Sequence, residues 1–194
     1  SIAALAGLIL SARTNWLLLI IGALAILAAW TYTGGPKPYG YFALGELSVF
    51  IFFGIVATLG TYYVQVQSLA LDVTLAAAAM GALACAILVI NNLRDLSKDA
   101  LVGKRTLAVL LGDTRTRILY QLLLLKPIAI TLLLTFDSRY FLIALITVPQ
   151  VLRIAHKVRA GASGPELIDL LAKTGRLQIT FAIALSFAAL LAQR

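Results

Sequence analysis

The chain has 194 residues, of which 61% are hydrophobic and only 12% charged, and its mean hydropathy is +0.98. That composition excludes an ordinary soluble globular domain and fits an integral membrane protein crossing the bilayer several times, because its apolar runs reach the about 20 residues a span needs. Sixteen basic against eight acidic residues give a net charge of +8, which here reflects basic cytoplasmic loops and not a nucleic-acid partner.

Seven apolar segments follow one another, with no soluble domain between them, so the predicted fold is an all-α multi-span transmembrane bundle forming a single domain over 1–194. The first segment, 1–12, ends at Ser11 and Arg13. It has neither the basic start nor the cleavage site of a signal peptide and is shorter than the about 17 residues of a minimal span, so the chain is expected to begin inside a helix, truncated at its N-terminus. The second, about 15–33, is bounded by Trp16, Trp30 and Tyr32 at interfacial positions. The loop GGPKPYGYFALG, 34–45, breaks helix through its glycines and prolines. It contains Lys37 and Tyr39, candidate ligand contacts if the loop forms a substrate wall and not a plain turn.

The third segment, about 46–67, opens with Glu46, a favourable charge at a helix start. Tyr62 and Tyr63 near its far end read either as an interfacial aromatic belt or, for one of them, as an inward ring face that stabilises a cation. The fourth, about 72–92, is expected to be capped by Asp72. It holds Cys85, the single cysteine, so no intramolecular disulfide forms. A charged loop leads to a fifth segment at about 113–135 and a sixth at about 138–160, which ends in RIAHKVR with the only histidine, His156. That histidine reads as part of a basic interfacial helix end. After the hinge GASGP comes an amphipathic piece, 166–173, with Glu166 and Asp169 on its wet face, and then a last span at about 175–193.

Counting Lys and Arg by side places Lys37, Arg94, Lys98, Lys104, Arg105, Arg115, Arg117, Arg153, Lys157, Arg159, Lys173 and Arg176 together; Arg13, Lys126, Arg139 and Arg194 fall opposite. A bias of 12 to 4 makes the first side cytoplasmic. On it lies the run NNLRDLSKDALVGKR, 91–105. Asp95 and Asp99 are four apart, hence on one face of a helix, and Arg94, Lys98, Lys104 and Arg105 surround them. Mixed acids and bases at the end of a span suit an anionic, metal-bound ligand: carboxylates take Mg²⁺, while Lys and Arg take phosphate oxygens. A transporter or channel subunit would instead show repeats and charges near the midplane; here the charges gather at helix ends and no repeat is visible. The DGxxAR signature of the CDP-alcohol phosphatidyltransferases is absent.

NNLRDLSKDALVGKRTLAVLLG, 91–112, resembles the second aspartate-rich region of the UbiA superfamily of intramembrane prenyltransferases. YTGGPKPYGYFALGE, 32–46, and VFIFFGIVATLGTYYVQ, 49–65, narrow the resemblance to the branch acting on 1,4-dihydroxy-2-naphthoate in menaquinone synthesis. The resemblance implies a nine-helix fold of which the seven segments match helices three to nine, the first Asp-rich loop being absent. It implies a polyprenyl diphosphate donor bound through Mg²⁺ and transfer of the prenyl group to the naphthoate with loss of CO₂, in the cell membrane with the site on the cytoplasmic side. Asp95 and Asp99 are then assigned to the metal, Arg94, Lys104 and Arg105 to diphosphate oxygens, and Asn91 and Asn92 to support of the site. Lys37, Tyr39 and Tyr62 are further substrate-binding candidates. Hydroxybenzoate, haem or chlorophyllide acceptors remain alternatives within the superfamily.

Overall fold

The computed structural model describes residues 2–36 and 38–192. Seven helical rods carry the described residues. An apolar hairpin of α1 (Ile2–Arg13) and α2 (Leu17–Thr33) comes first. It is followed by α3 (Gly45–Val66), α4 (Leu71–Leu101), α5 (Leu107–Leu134), α6 (Arg139–Arg159) and α7 (Pro165–Ala192). The last five are long and apolar enough to cross a membrane, while α1 and α2 are shorter apolar helices. The chain is thus a multi-pass helical membrane bundle. Most large apolar side chains of α2 are exposed, as are Phe53, Leu122, Leu132, Ile146, Ile183 and Leu190; lipid, being as apolar as they are, is their solvent.

At the centre of the bundle is α4, which packs against α3, α5 and α7. Its stretch Ala77–Ala86 is small-residue rich, and Ala77, Ala79, Ala82 and Ala86 are all fully enclosed. Small side chains let backbones approach, the main route to tight packing where lipid removes the hydrophobic drive between helices. The crossing of α3 over α4 depends on it: a Cβ on Gly54 would stand 2.5 Å from the Gly81 Cα, and one on Gly81 would meet the Phe50 ring at 2.9 Å. Around this crossing α3 winds as a π-helix, Phe50–Leu59.

The charged residues after 92 do not end the fourth helix, as the sequence had suggested. α4 is continuous for 31 residues, about 46 Å against a hydrocarbon core of about 30 Å. Asp95 and Asp99 therefore ride on a helix projecting beyond the span and not in a loop. Asp72 lies in the first turn, but Ala70 occupies the capping position and no side chain caps it. Likewise α5 begins at Leu107, capped by the Thr106 hydroxyl, which accepts from the Val109 amide at 3.4 Å. The helix breaks at Gly112, whose φ of 74° lies in the left-handed region that a side chain disfavours. The sixth segment starts as a 3₁₀ turn over Arg139–Thr147 before becoming α-helical. The amphipathic piece and the last span are one unbroken helix of 28 residues. Two polar ties hold α5 in place: the Tyr120 and Thr174 hydroxyls share a buried hydrogen bond of 2.6 Å to α7, and Arg117 donates to the Val158 carbonyl of α6 at 2.7 Å.

Lys126, counted from sequence with the far side, stands within α5 with its ammonium 4.9 Å from the centre of the Phe50 ring. Helical side chains lean toward the N-terminus of their helix, and that lean carries Lys126 toward the end bearing Asp95.

Candidate active site

Gly103 lets α4 end where the site needs it. Its φ of 73° reverses the chain so that the Lys104 amide donates to the Asp99 carbonyl at 2.9 Å. The Lys104 side chain then folds back over its own helix end, its ammonium 3.2 Å from Asp99 Oδ1 and Oδ2 alike. Among the described residues only Oδ1 accepts a hydrogen bond, and Oδ2 is buried without one. One turn earlier, Arg94 clamps Asp95 with two parallel bonds, Nε to Oδ1 at 2.9 Å and Nη2 to Oδ2 at 2.5 Å. Each carboxylate thus has its own cation, and both pairs are partly open to solvent, Asp99 being the more enclosed.

The loop after α2 closes over this helix end. The Arg105 amide donates to the Tyr41 carbonyl at 3.0 Å, and Phe42 and Arg105 form an isolated parallel bridge. The Tyr41 ring lies 5.4 Å from the Lys104 ammonium, a cation–π contact. Beneath, Asn92 donates to Glu46 Oε1 at 3.0 Å, tying the start of α3 to α4. The second oxygen, Glu46 Oε2, is buried with no partner among the described residues. Asn92, Asp95 and Asp99 are spaced i, i+3, i+7, so they line one face of α4.

The structure brings together Asp95, Asp99, Arg94, Lys104, Arg105 and Asn92. Asn91 is half-buried beside them and makes no side-chain hydrogen bond among the described residues. Tyr39 turns elsewhere: its hydroxyl shares a 2.8 Å bond with Ser48 and its ring stands edge-on to Tyr32 at 5.4 Å. Lys37 lies outside the described residues. Tyr62 stands near the opposite end of α3, sixteen residues beyond Glu46. Its neighbour Tyr63 lines an apolar groove of about 640 Å³ between the hairpin and α3.

Sequence reasoning missed Glu46 and Tyr41 as members of the site. A carboxylate in the first turn of an apolar span was the available signal, because such a group is costly unless something uses it. The partner of Tyr41, Lys104, is 63 positions away, and only the fold supplies it.

A family model for the UbiA prenyltransferase family matches residues 1–167. The chain belongs to the UbiA prenyltransferase family. Two mycobacterial proteins named 1,4-dihydroxy-2-naphthoate octaprenyltransferase are similar to it. The one from Mycobacterium tuberculosis is 46% identical over 96% of this chain and 64% of its own length. The one from Mycobacterium leprae is 42% identical over 99% of this chain and 65% of its own length. A mouse protein named UbiA prenyltransferase domain-containing protein 1 is 38% identical over 69% of this chain and 40% of its own length. The chain thus spans just under two thirds of the two mycobacterial relatives. No solved structure matches it.

For this UbiA-family chain the donor set fits a hard divalent cation. Mg²⁺ takes oxygen ligands, commonly one or two carboxylates with substrate phosphates completing the shell. The buried Asp99 Oδ2, which accepts no hydrogen bond among the described residues, is suited to be such a ligand atom, and Asp95 stands on the same face. Among the described residues no three His, Cys, Asp or Glu side chains converge, so two carboxylates are what this stretch offers.

Proposed function

We propose that the protein of which this chain is a part transfers a polyprenyl group from a polyprenyl diphosphate to 1,4-dihydroxy-2-naphthoate, with loss of CO₂, to give a demethylmenaquinone in its reduced, quinol form. It would do so in the cell membrane, with the basic end of the bundle toward the cytoplasm. The observation that carries this reading is the helix end where Asp95 and Asp99 share a face under Lys104 and Arg105. The names of the mycobacterial relatives supply the acceptor.

Asp95 and Asp99 would hold Mg²⁺, which would offset charge on the departing diphosphate. Arg94 and Lys104, turning from Asp95 and Asp99, would bind diphosphate oxygens, where charge grows as the allylic C–O bond breaks. Arg105, fixed by its backbone bond to Tyr41, approaches from the loop side. Asn92 and Glu46 hold α3 against α4 so that this face keeps its register. The apolar interior of the bundle receives the prenyl tail and keeps water from the electron-poor carbon. The naphthoate ring carbon bearing the carboxylate attacks that carbon, and CO₂ leaves as aromaticity returns.

The test uses the full-length enzyme in membranes, assayed for prenylated naphthoate with Mg²⁺. Asp95→Ala and Asp99→Ala should each lower turnover by about 10²-fold or more, the usual scale for loss of an electrostatic stabiliser of developing charge, with expression and helicity retained. Near-normal turnover in both variants would sink the assignment.

A further inference from the structure

The run RIAHKVR ends α6, and Lys173 and Arg176 lie in the first third of α7. Helical spacing sets Arg153, His156 and Lys157 on one side of α6 and Lys173 and Arg176 on one side of α7. In the structure the two sets face each other across a groove of about 420 Å³ between the helices, with Gln150 at its edge. No carboxylate lines it. The nearby acids Glu166 and Asp169 line the adjoining cavity, and Asp169 is engaged with Lys173 at 2.5 Å. Arg153, Lys157 and Arg176 make no ion pair among the described residues.

The positive-inside bias asks for basic residues at this end of the bundle but not for their convergence in one concavity. Asp169 offsets Lys173, which leaves Arg153, Lys157 and Arg176 in excess at the groove; such like charges repel, and an anion relieves them. The residues below the charges indicate what kind of anion. Arg176, Ile179 and Ile183 follow one another at i, i+3, i+7 on α7, and both isoleucines are exposed, at 62% and 66%. On α6, Arg153, Pro149 and Ile146 make the matching face, and Ile146 is 71% exposed. Charges thus sit at headgroup level with bare aliphatic rails running from them into the span. Free phosphate would use the first feature only. We propose that this groove binds the headgroup of an anionic phospholipid, its acyl chains lying along Ile179, Ile183 and Ile146. Two guanidiniums suit a phosphodiester because each can offer paired N–H donors to its oxygens. The site is separate from Asp95 and Asp99 and does not depend on the prenyl-transfer reading.

The experiment is native mass spectrometry of the full-length protein titrated with phosphatidylglycerol or phosphatidylcholine, with inorganic diphosphate as a soluble competitor. Wild type should retain phosphatidylglycerol in preference to phosphatidylcholine, and diphosphate should not displace it. Arg153→Ala/Arg176→Ala should lower phosphatidylglycerol affinity by about 30-fold, given the usual gain per basic residue at an anionic lipid surface. Arg115→Ala/Arg159→Ala removes two exposed charges from the same end outside the groove and should bind as wild type. Equal retention of the two lipids by wild type, equal loss in both double variants, or displacement by diphosphate would each overturn the proposal. Arg153→Gln/Arg176→Gln keeps much of the aliphatic packing and replaces the alanine pair should that pair misfold; the wild-type lipid comparison decides without either.

Discussion

Lys104 is placed by three independent constraints. Gly103 sets the backbone, Asp99 holds the ammonium, and the Tyr41 ring covers it. Its charge is therefore already held at the helix end, and only the turn from Asp99 separates it from an arriving diphosphate. Lys104→Ala in the full-length enzyme should raise KM for the prenyl diphosphate and also lower kcat, because the contact strengthens as charge develops. The KM for the naphthoate should stay within about twofold; steady-state kinetics with each substrate varied in turn would show this, and an effect confined to the naphthoate would move Lys104 to the acceptor side. At this scale much of the site could be read beforehand. The four-residue spacing of Asp95 and Asp99 and the bases around them are local, so the chain order displays them. The Glu46–Asn92 bond was hidden because its partners are 46 residues apart. The pairing of Asp99 depends on where Lys104 turns after Gly103, which spacing alone does not report.

The helices show why segment counting worked and segment boundaries did not. Seven apolar runs gave seven rods, since a span must satisfy its backbone internally and only a helix does so here. Hydropathy falls after residue 92, yet Leu, Arg, Lys and Ala are all good helix formers, so α4 continues past the membrane edge to Leu101. The same logic joins the amphipathic 166–173 piece to α7. What the apolar pattern could not display is contact, above all the close pass of Gly54 and Gly81. Gly54→Val should separate α3 from α4 and cost about 2 kcal/mol or more, on the scale of overpacking in a tight core. Thermal unfolding in detergent would measure the loss, while Gly60→Ala, where a Cβ meets nothing within 4 Å, should unfold near the wild-type temperature.

For the whole molecule, three connections meet at one end of the bundle: the loop after α2, the α4–α5 turn and the α6–α7 turn. The sequence count of 12 to 4 assigns the basic surplus to that end, and such a bias predicts that it faces the cytoplasm. Cysteine scanning offers a direct measurement, since the chain's own Cys85 is only 3% exposed. Lys98→Cys should be modified by a membrane-impermeant thiol reagent in inside-out vesicles only. Phe136→Cys, 90% exposed at the opposite turn, should be modified in whole cells or spheroplasts only. The reverse pattern would invert the topology and place the Asp95 end outside.

The bond from the Arg105 amide to the Tyr41 carbonyl makes one hydrogen atom a clock. That amide cannot exchange with solvent deuterium while the α2–α3 connection rests on the end of α4, and it exchanges each time the two part. Its exchange rate therefore counts openings over the diphosphate end, site by site and without any label. A non-hydrolysable prenyl diphosphate analogue with Mg²⁺ should slow that exchange, while amides at the far turn near Phe136 keep their pace. A cover that opens only as fast as the enzyme turns over would then be recognised as the step that sets the pace of the cycle.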